Sequence, residues 1–189
     1  MRVISGYAKG IQLESVPGKS TRPITDKVKG ALFNILGSSI VGKSMLDLFG
    51  GTGAVGIEAL SRGADYVTFL DINYRAYQVI KQNLKSTDLD EFATVMKKDA
   101  FTLLREPPTN HFDFIYIAPP QYKNLWFKTM LLLDENPDWL TRTGSIIVQI
   151  HPKEFNSVVD YTNFRKFDQR SYGDTLLIFY ERLSNEFRQ

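Results

Sequence analysis

The segment "MLDLFGGTGAVGIEAL", Met45 to Leu60, constrains the fold of this chain more than any other stretch. A short apolar run ends in a cluster of glycines, and a helical pattern starts directly after them. Gly51, Gly53 and Gly56 match G-x-G-x-x-G between a strand and a helix. Asp71 closes the next apolar run, 20 residues after Gly51. Any tight strand–helix turn favours glycine for conformational reasons. An acid at this distance adds a ligand-binding reading, with glycines for close backbone approach and a carboxylate for ribose hydroxyls.

The rhythm around that segment repeats. From Ser44 onward, short apolar strands alternate with helical patterns: "SMLDLF", "DYVTFLD", "FATVMKKD", "HFDFIYIA" and "GSIIVQIH" as strands, with "AVGIEALSRG", "YRAYQVIKQNLKS" and "LWFKTMLLLDE" among the helices. This alternation predicts an α/β fold, a parallel sheet with helices on both faces. "NFRKFDQRSYGDTLLIFYERL" reads as a closing antiparallel hairpin about "YGDT". "RVISGYAKGIQLESV" reads as an N-terminal β-hairpin punctuated by Gly6 and Gly10. Between the hairpin and the first strand, Thr25 is an N-cap candidate for a helix whose apolar face would be Val28, Ala31, Leu32 and Ile35, ended by Gly37. The expected organisation is one domain over 1–189, with residues 1–20 as the hairpin extension and 21–189 as helix plus core.

Composition narrows the chemistry. The chain has no cysteine, so disulfides and thiolate catalysis are excluded, and only His111 and His151 could offer imidazole to a metal. No metal is expected. No apolar run approaches the ~18 residues of a membrane span, so a soluble, cytoplasmic protein without membrane contact is expected. Arg2, Lys9, Lys19, Arg22, Lys27 and Lys29 face only Glu14 and Asp26, so residues 1–30 carry +4 while the whole chain carries +2. A polyanionic partner and a plain solvated face both account for such an arm.

Asp47 decides between ligands for the glycine loop. It lies four residues before Gly51, where a carboxylate would oppose a pyrophosphate. S-adenosylmethionine has no phosphate; it carries an ammonium, a sulfonium and one carboxylate. Asp47 would meet a cation, and the loop amides could hold the carboxylate. The residues therefore favour S-adenosylmethionine over a nicotinamide dinucleotide. Asp99, just past the third strand, can accept from an adenine amino group, cap the following helix, or do both.

Asp47 with "GGTG", Asp71 with Ile72, and Asp99 with Ala100 resemble the cofactor motifs of class I methyltransferases. "TRPITDKVKGALFNIL" joined to "LDLFGGTGAVGIEALSRGA" resembles, more specifically, the RsmD family, which methylates the N2 amino group of a guanine in bacterial small-subunit ribosomal RNA. The resemblance extends from Met1 through the "YGDT" hairpin. It implies a Rossmann-like, seven-stranded, mostly parallel sheet with an antiparallel last strand. It implies that Phe49, Gly50, Gly51, Thr52 and Gly53 wrap the methionine part of the cofactor, with Asp71 at the ribose and Asp99 at the adenine. It also implies that Thr21 and Arg22 lie near the active site, and that the N-terminal hairpin helps to grip RNA. Lys9, Lys27 and Lys123 are further candidates for phosphate contact, and the protein is expected to act as a monomer on ribosomal RNA or the small subunit.

The fourth strand departs from that pattern. The family ends it in Asp or Asn, then Pro-Pro and an aromatic; here the residues are Ala118, Pro119, Pro120 and Gln121, followed by Tyr122. An aromatic amine needs hydrogen-bond acceptors on its N–H groups to localise its lone pair. Ala118 has none to offer. The Pro119 carbonyl remains, Gln121 could supply an amide oxygen, and Tyr122 could stack on the base. Three readings stand: an active enzyme with a modified site, an RNA-binding or ribosome-assembly protein that no longer catalyses, and an enzyme that methylates a different atom. "APP" also reads as a plain strand terminator. Trp126 and Phe127 read as core or rim residues.

Overall fold

The computed structural model describes residues 1–18, 24–155 and 160–183. Its strands are β1 (Ser44–Asp47), β2 (Tyr66–Leu70), β3 (Ala93–Met96), β4 (Phe112–Ile117), β5 (Leu140–Ile150), β6 (Phe164–Tyr172) and β7 (Thr175–Arg182). They form one seven-stranded sheet in the order β3-β2-β1-β4-β5-β7-β6. β1 with β2, β2 with β3, and β4 with β5 are parallel pairs; β7 runs antiparallel to both β5 and β6. The helices are α1 (Asp26–Leu36), α2 (Ala54–Ser61), α3 (Tyr74–Ser86), α4 (Ala100–Leu104) and α5 (Leu125–Glu135). The chain divides into two compact units, Met1–Ala100 and Phe101–Gln189.

In the first unit, α1 starts and stops where its sequence says. The Thr25 hydroxyl accepts from the Val28 N–H at 3.2 Å, and Gly37, at φ 54°, closes the helix by donating to the Phe33 carbonyl. Its buried face differs from the expected one. Val28, Lys29, Leu32, Phe33 and Leu36 are buried, whereas Ala31 is half-buried and Ile35 is exposed. The stripe is rotated because Lys29 is drawn inward by a carboxylate. Its Nζ lies 3.3 Å from Glu58 Oε2, both side chains are fully buried, and Arg62 Nε donates to Glu58 Oε1 at 2.8 Å. Burial lowers the Lys29 pKa, and Glu58 works against that shift. Lys29 is thus not available to a polyanion, although it contributes to the basic count of the arm.

The N-terminal arm is a hairpin with one ladder bridge, Arg2 to Gln12, rather than two strands. Val3 and Ile11 pair through backbone, and Gly6 and Gly10 take positive φ. The ladder is short because α2 captures the arm's donors. Ile4 N–H and Ser5 N–H donate to the Glu58 carboxylate at 2.8 and 3.1 Å, Ala8 N–H donates to Ser61 Oγ, and Tyr7 N–H donates to the Ser61 carbonyl. Every residue of α2 is buried, so its two polar side chains turn to the arm.

In the second unit, β4 is buried along nearly its whole length, as its apolar run requires. β5 begins at Leu140, earlier than "GSIIVQIH" suggests, and its register with β4 shifts between Phe112 and Phe114. Gly144 permits that irregularity, since a Cβ there would lie 2.7 Å from the Asp113 carbonyl oxygen. β6 and β7 close through a two-residue turn, Gly173-Asp174, with Gly173 at φ 60°. Trp126 is a core residue, packed edge-on to Phe127.

Candidate functional site

The glycine loop leaves β1 and divides its work among four glycines. Gly50 N–H donates to the Leu70 carbonyl and Gly53 N–H to the Gly50 carbonyl, both at 2.7 Å. A Cβ on Gly50 would lie 2.7 Å from Ile80 Cδ1, and one on Gly56 would lie 2.3 Å from Phe69 Cε1. These two glycines let α3 and β2 pack closely. Gly51 is different. Its φ is 56°, and a Cβ there would meet only the Phe49 carbonyl oxygen, at 3.9 Å. Its side is open, which suits backbone that approaches a ligand.

Asp71 holds this loop. Its Oδ2 accepts from the Gly51 N–H at 2.9 Å, and its Oδ1 accepts from the Asn73 N–H at 2.8 Å. The 20-residue spacing is thereby a contact, and each oxygen retains lone-pair capacity for a ligand hydroxyl. Burial raises the Asp71 pKa, against the pull of these two donors. Ile72 beside it is exposed and apolar, Phe49 is half-buried, and Thr52 is buried. Asp99 is half-buried and immediately precedes Ala100, the buried first residue of α4.

Asp47 is the electrostatic centre of the unit. It is 1% exposed, and its Oδ1 has no hydrogen-bond partner. Burial first, then the charge of Asp71, push its pKa up to about 7, while backbone donors at Phe49 and Gly56 pull the other way. An unpartnered buried carboxylate oxygen calls for a donor, and a cationic donor would also relieve the repulsion from Asp71. The ammonium of S-adenosylmethionine meets both needs, so the residues present fit that cofactor.

Asn83 belongs to no motif of the chain, yet it supports this loop. It is fully buried on α3; its Oδ1 accepts from the Glu14 N–H at 2.7 Å, and its Nδ2 donates to the Glu14 and Thr52 carbonyls. The available signal was a polar residue inside the apolar stripe of α3, with Ala76, Val79, Ile80 and Leu84.

The second unit carries the residues after β4. Ala118 and Gln121 are half-buried, Pro119 is buried and Pro120 exposed. Tyr122 is 66% exposed and sits at φ 60°, an unusual conformation for a tyrosine. Glu154 and His151 hold it there. Tyr122 N–H donates to Glu154 Oε2 at 2.8 Å, and its ring lies 5.6 Å from the His151 ring. Glu154 Oε1 in turn accepts from the His151 N–H, and His151 Nδ1 accepts from the Lys153 N–H. His151-Pro-Lys-Glu154 is a capping box, a pattern visible in the sequence as a polar residue three before a glutamate. Lys9, Lys27 and Lys123 are exposed, and Thr21 and Arg22 lie outside the described residues. Among the described residues, no cluster of three or more His, Asp or Glu could hold a metal, and no helix is long and apolar enough to cross a membrane.

The sheet order, the glycine loop and the acids behind it define a class I, S-adenosylmethionine-dependent methyltransferase. A protein-family model described as "Conserved hypothetical protein 95" matches residues 1–181. The chain belongs to this family, the RsmD family of ribosomal RNA small subunit methyltransferase D. It is 40% identical over 187 residues to the Bacillus subtilis protein described as "Putative rRNA methyltransferase YlbH", covering 96% of this chain and 99% of that one. It is 36% identical over 151 residues to the ribosomal RNA small subunit methyltransferase D of Haemophilus influenzae, covering 79% and 78%. Among solved structures, "Putative methyltransferase yhhF" from Escherichia coli superposes with a TM-score of 0.83 at 30% identity, covering 96% and 97%.

Proposed function

We propose that this protein transfers a methyl group from S-adenosylmethionine to the exocyclic N2 amino group of a guanine in small-subunit ribosomal RNA. The observation that carries the reading is Asp47, a buried carboxylate with an unpartnered oxygen behind an open glycine loop. When bound, the cofactor supplies a methyl group on a cationic sulfur. Transfer to the amine would leave the sulfur neutral with the bonding electron pair and would release one amine proton to solvent, so this chain's residues would need to hold the two partners in line and supply acceptors to the amine.

The chain's own residues act by holding and polarising. Asp47 receives the cofactor ammonium, Asp71 the ribose hydroxyls and Asp99 the adenine amino group. Ile72 covers the adenine, and Phe49, Gly50, Gly51, Thr52 and Gly53 wrap the methionine part, with Ala100 beside the adenine. On the base side, Tyr122 stacks on an unpaired guanine. Its backbone is fixed by Glu154, which supports a platform role for a residue that is itself exposed. The Pro119 carbonyl and the Gln121 amide oxygen accept from the guanine amine in place of the side chain that Ala118 lacks. Lys9, Thr21, Arg22, Lys27 and Lys123 contact the RNA. A ribosomal substrate makes the protein cytoplasmic, and it works as a monomer on a single domain.

The test is methyl transfer from labelled cofactor to small subunits and to protein-free ribosomal RNA prepared from cells that lack this protein. Label on guanine N2 is the expected result. No label from a protein that binds the cofactor in a calorimeter overturns the enzymatic reading, and label on another atom overturns the assignment of the amine.

A further inference from the structure

We propose that Asn83 is a positioning residue that locks the cofactor loop to the N-terminal arm. One side chain makes three bonds to two remote segments. Its Nδ2 donates to the Thr52 carbonyl at 2.9 Å and to the Glu14 carbonyl at 3.1 Å, and its Oδ1 accepts from the Glu14 N–H at 2.7 Å. The paired bonds to Glu14 imitate one rung of a sheet ladder, so the arm is held here by a side chain where no strand is available. The bond to Thr52 fixes the carbonyl between Gly51 and Gly53, the two loop residues that take positive φ.

Only an amide serves at this position. The side chain is fully buried, and the three backbone groups around it require two donor hydrogens and one acceptor. Aspartate has the same shape and lacks both donors; leucine fills the space and leaves three backbone groups unsatisfied. Two residues after Glu14, Val16 packs against Ala76 and Val79 of the same helix. The arm and the loop therefore share one support, and a displacement of either is felt by the other through Asn83.

The inference rests on the reading that the glycine loop binds the cofactor, and the experiment separates the two. Cofactor affinity is measured by calorimetry at about 15 °C, close to the usual temperature of maximum stability, for the wild type, Asn83→Asp and Asp71→Ala, with circular dichroism to establish folding. Asn83→Asp should bind S-adenosylmethionine about tenfold more weakly at pH 8, since a buried carbonyl loses its donor and faces a carboxylate. The ratio to wild type should shrink as the pH falls, because protonation restores one donor. In the wild type, cofactor binding should slow hydrogen exchange at the Glu14 amide; in Asn83→Asp it should not. A folded variant with a lowered Tm and unchanged cofactor affinity shows a merely structural residue and overturns the proposal, as does a Glu14 amide indifferent to cofactor in the wild type. If Asp71→Ala also leaves affinity unchanged, the loop reading itself fails. Should Asn83→Asp not fold, Asn83→Ser, which keeps one donor, carries the same comparison with a smaller expected loss.

Discussion

Replacing Asp47 with asparagine should stabilise the free protein and impair the bound one. The carboxyl is 1% exposed, and its pKa rises from an ordinary 3.8 to about 7 through burial and the charge of Asp71. The folded state therefore holds this proton more tightly than the unfolded chain does. The associated stability is complete below the unfolded pKa and is lost as the pH rises through the folded one. The difference corresponds to about 4 kcal/mol once Asp47 is ionised. An asparagine side chain never ionises, so the advantage of Asp47→Asn in urea denaturation should be small near pH 4 and approach about 4 kcal/mol at pH 8. Cofactor binding should respond in the opposite sense. A cationic ammonium requires the ionised carboxylate, so wild-type affinity should fall about tenfold between pH 8 and pH 6. Asp47→Asn should bind more weakly at pH 8 and lose this pH dependence. A variant that is no more stable than wild type at pH 8 refutes the electrostatic account of Asp47, and one that keeps the wild-type binding profile refutes the proposed contact with the ammonium.

Three further outcomes rest on contacts within each unit. Gly56→Ala would bring a Cβ within 2.3 Å of Phe69 Cε1, and the required shift of α2 or β2 should lower stability by about 2 kcal/mol in urea denaturation. Glu58→Gln leaves Lys29 buried without its counter-charge and should cost about 3–5 kcal/mol, only part of it recovered when Lys29→Met is added, because the glutamine gives up one of the two oxygens that accept from Ile4, Ser5 and Arg62, as a thermal melt of the single and double variants will show. Tyr122→Ala should reduce methyl transfer at least tenfold with cofactor affinity unchanged, since stacking on one base is worth about 1–3 kcal/mol, and Glu154→Gln should give a smaller loss of the same kind in a steady-state assay.

The elements that sequence reading finds here are those fixed by neighbours in the chain. Thr25 and Gly37 bound α1 because capping is decided within four residues. The glycine loop and Asp71 were legible because a strand, a tight turn and a helix leave few places for a backbone amide to find a carboxylate, and Gly51 finds it at 20 residues' distance. What escaped is decided by partners distant in sequence. Lys29 reads as a surface cation until Glu58 is placed beneath it, and the burial of that pair rotates the face of α1 away from Ile35. The arm reads as two strands until α2 takes its donors. Asn83 carries no spacing that names its partners, and the spacing of Glu154 names only His151, because the Glu14, Thr52 and Tyr122 backbone groups they serve lie tens of residues away.

Asp47 also bears on what Ala118 means. A chain released from cofactor binding would gain stability from an uncharged isostere at position 47, since an amide there removes the cost of burying a charge and the repulsion from Asp71 while its oxygen still accepts from the Phe49 and Gly56 backbone. Only a ligand that brings positive charge turns that carboxylate from a liability into a contact. The loss of a side-chain acceptor at Ala118 is of another kind. Ala118 is half-buried just past the end of β4 and buries no charge, and the acceptor role is proposed for the Pro119 carbonyl and the Gln121 amide instead. The destabilising group that cofactor binding needs is present, whereas the side chain missing at Ala118 costs the fold nothing by its absence. That asymmetry is what a chain that still binds its cofactor would show, and it is the reverse of what an emptied methyltransferase fold would retain.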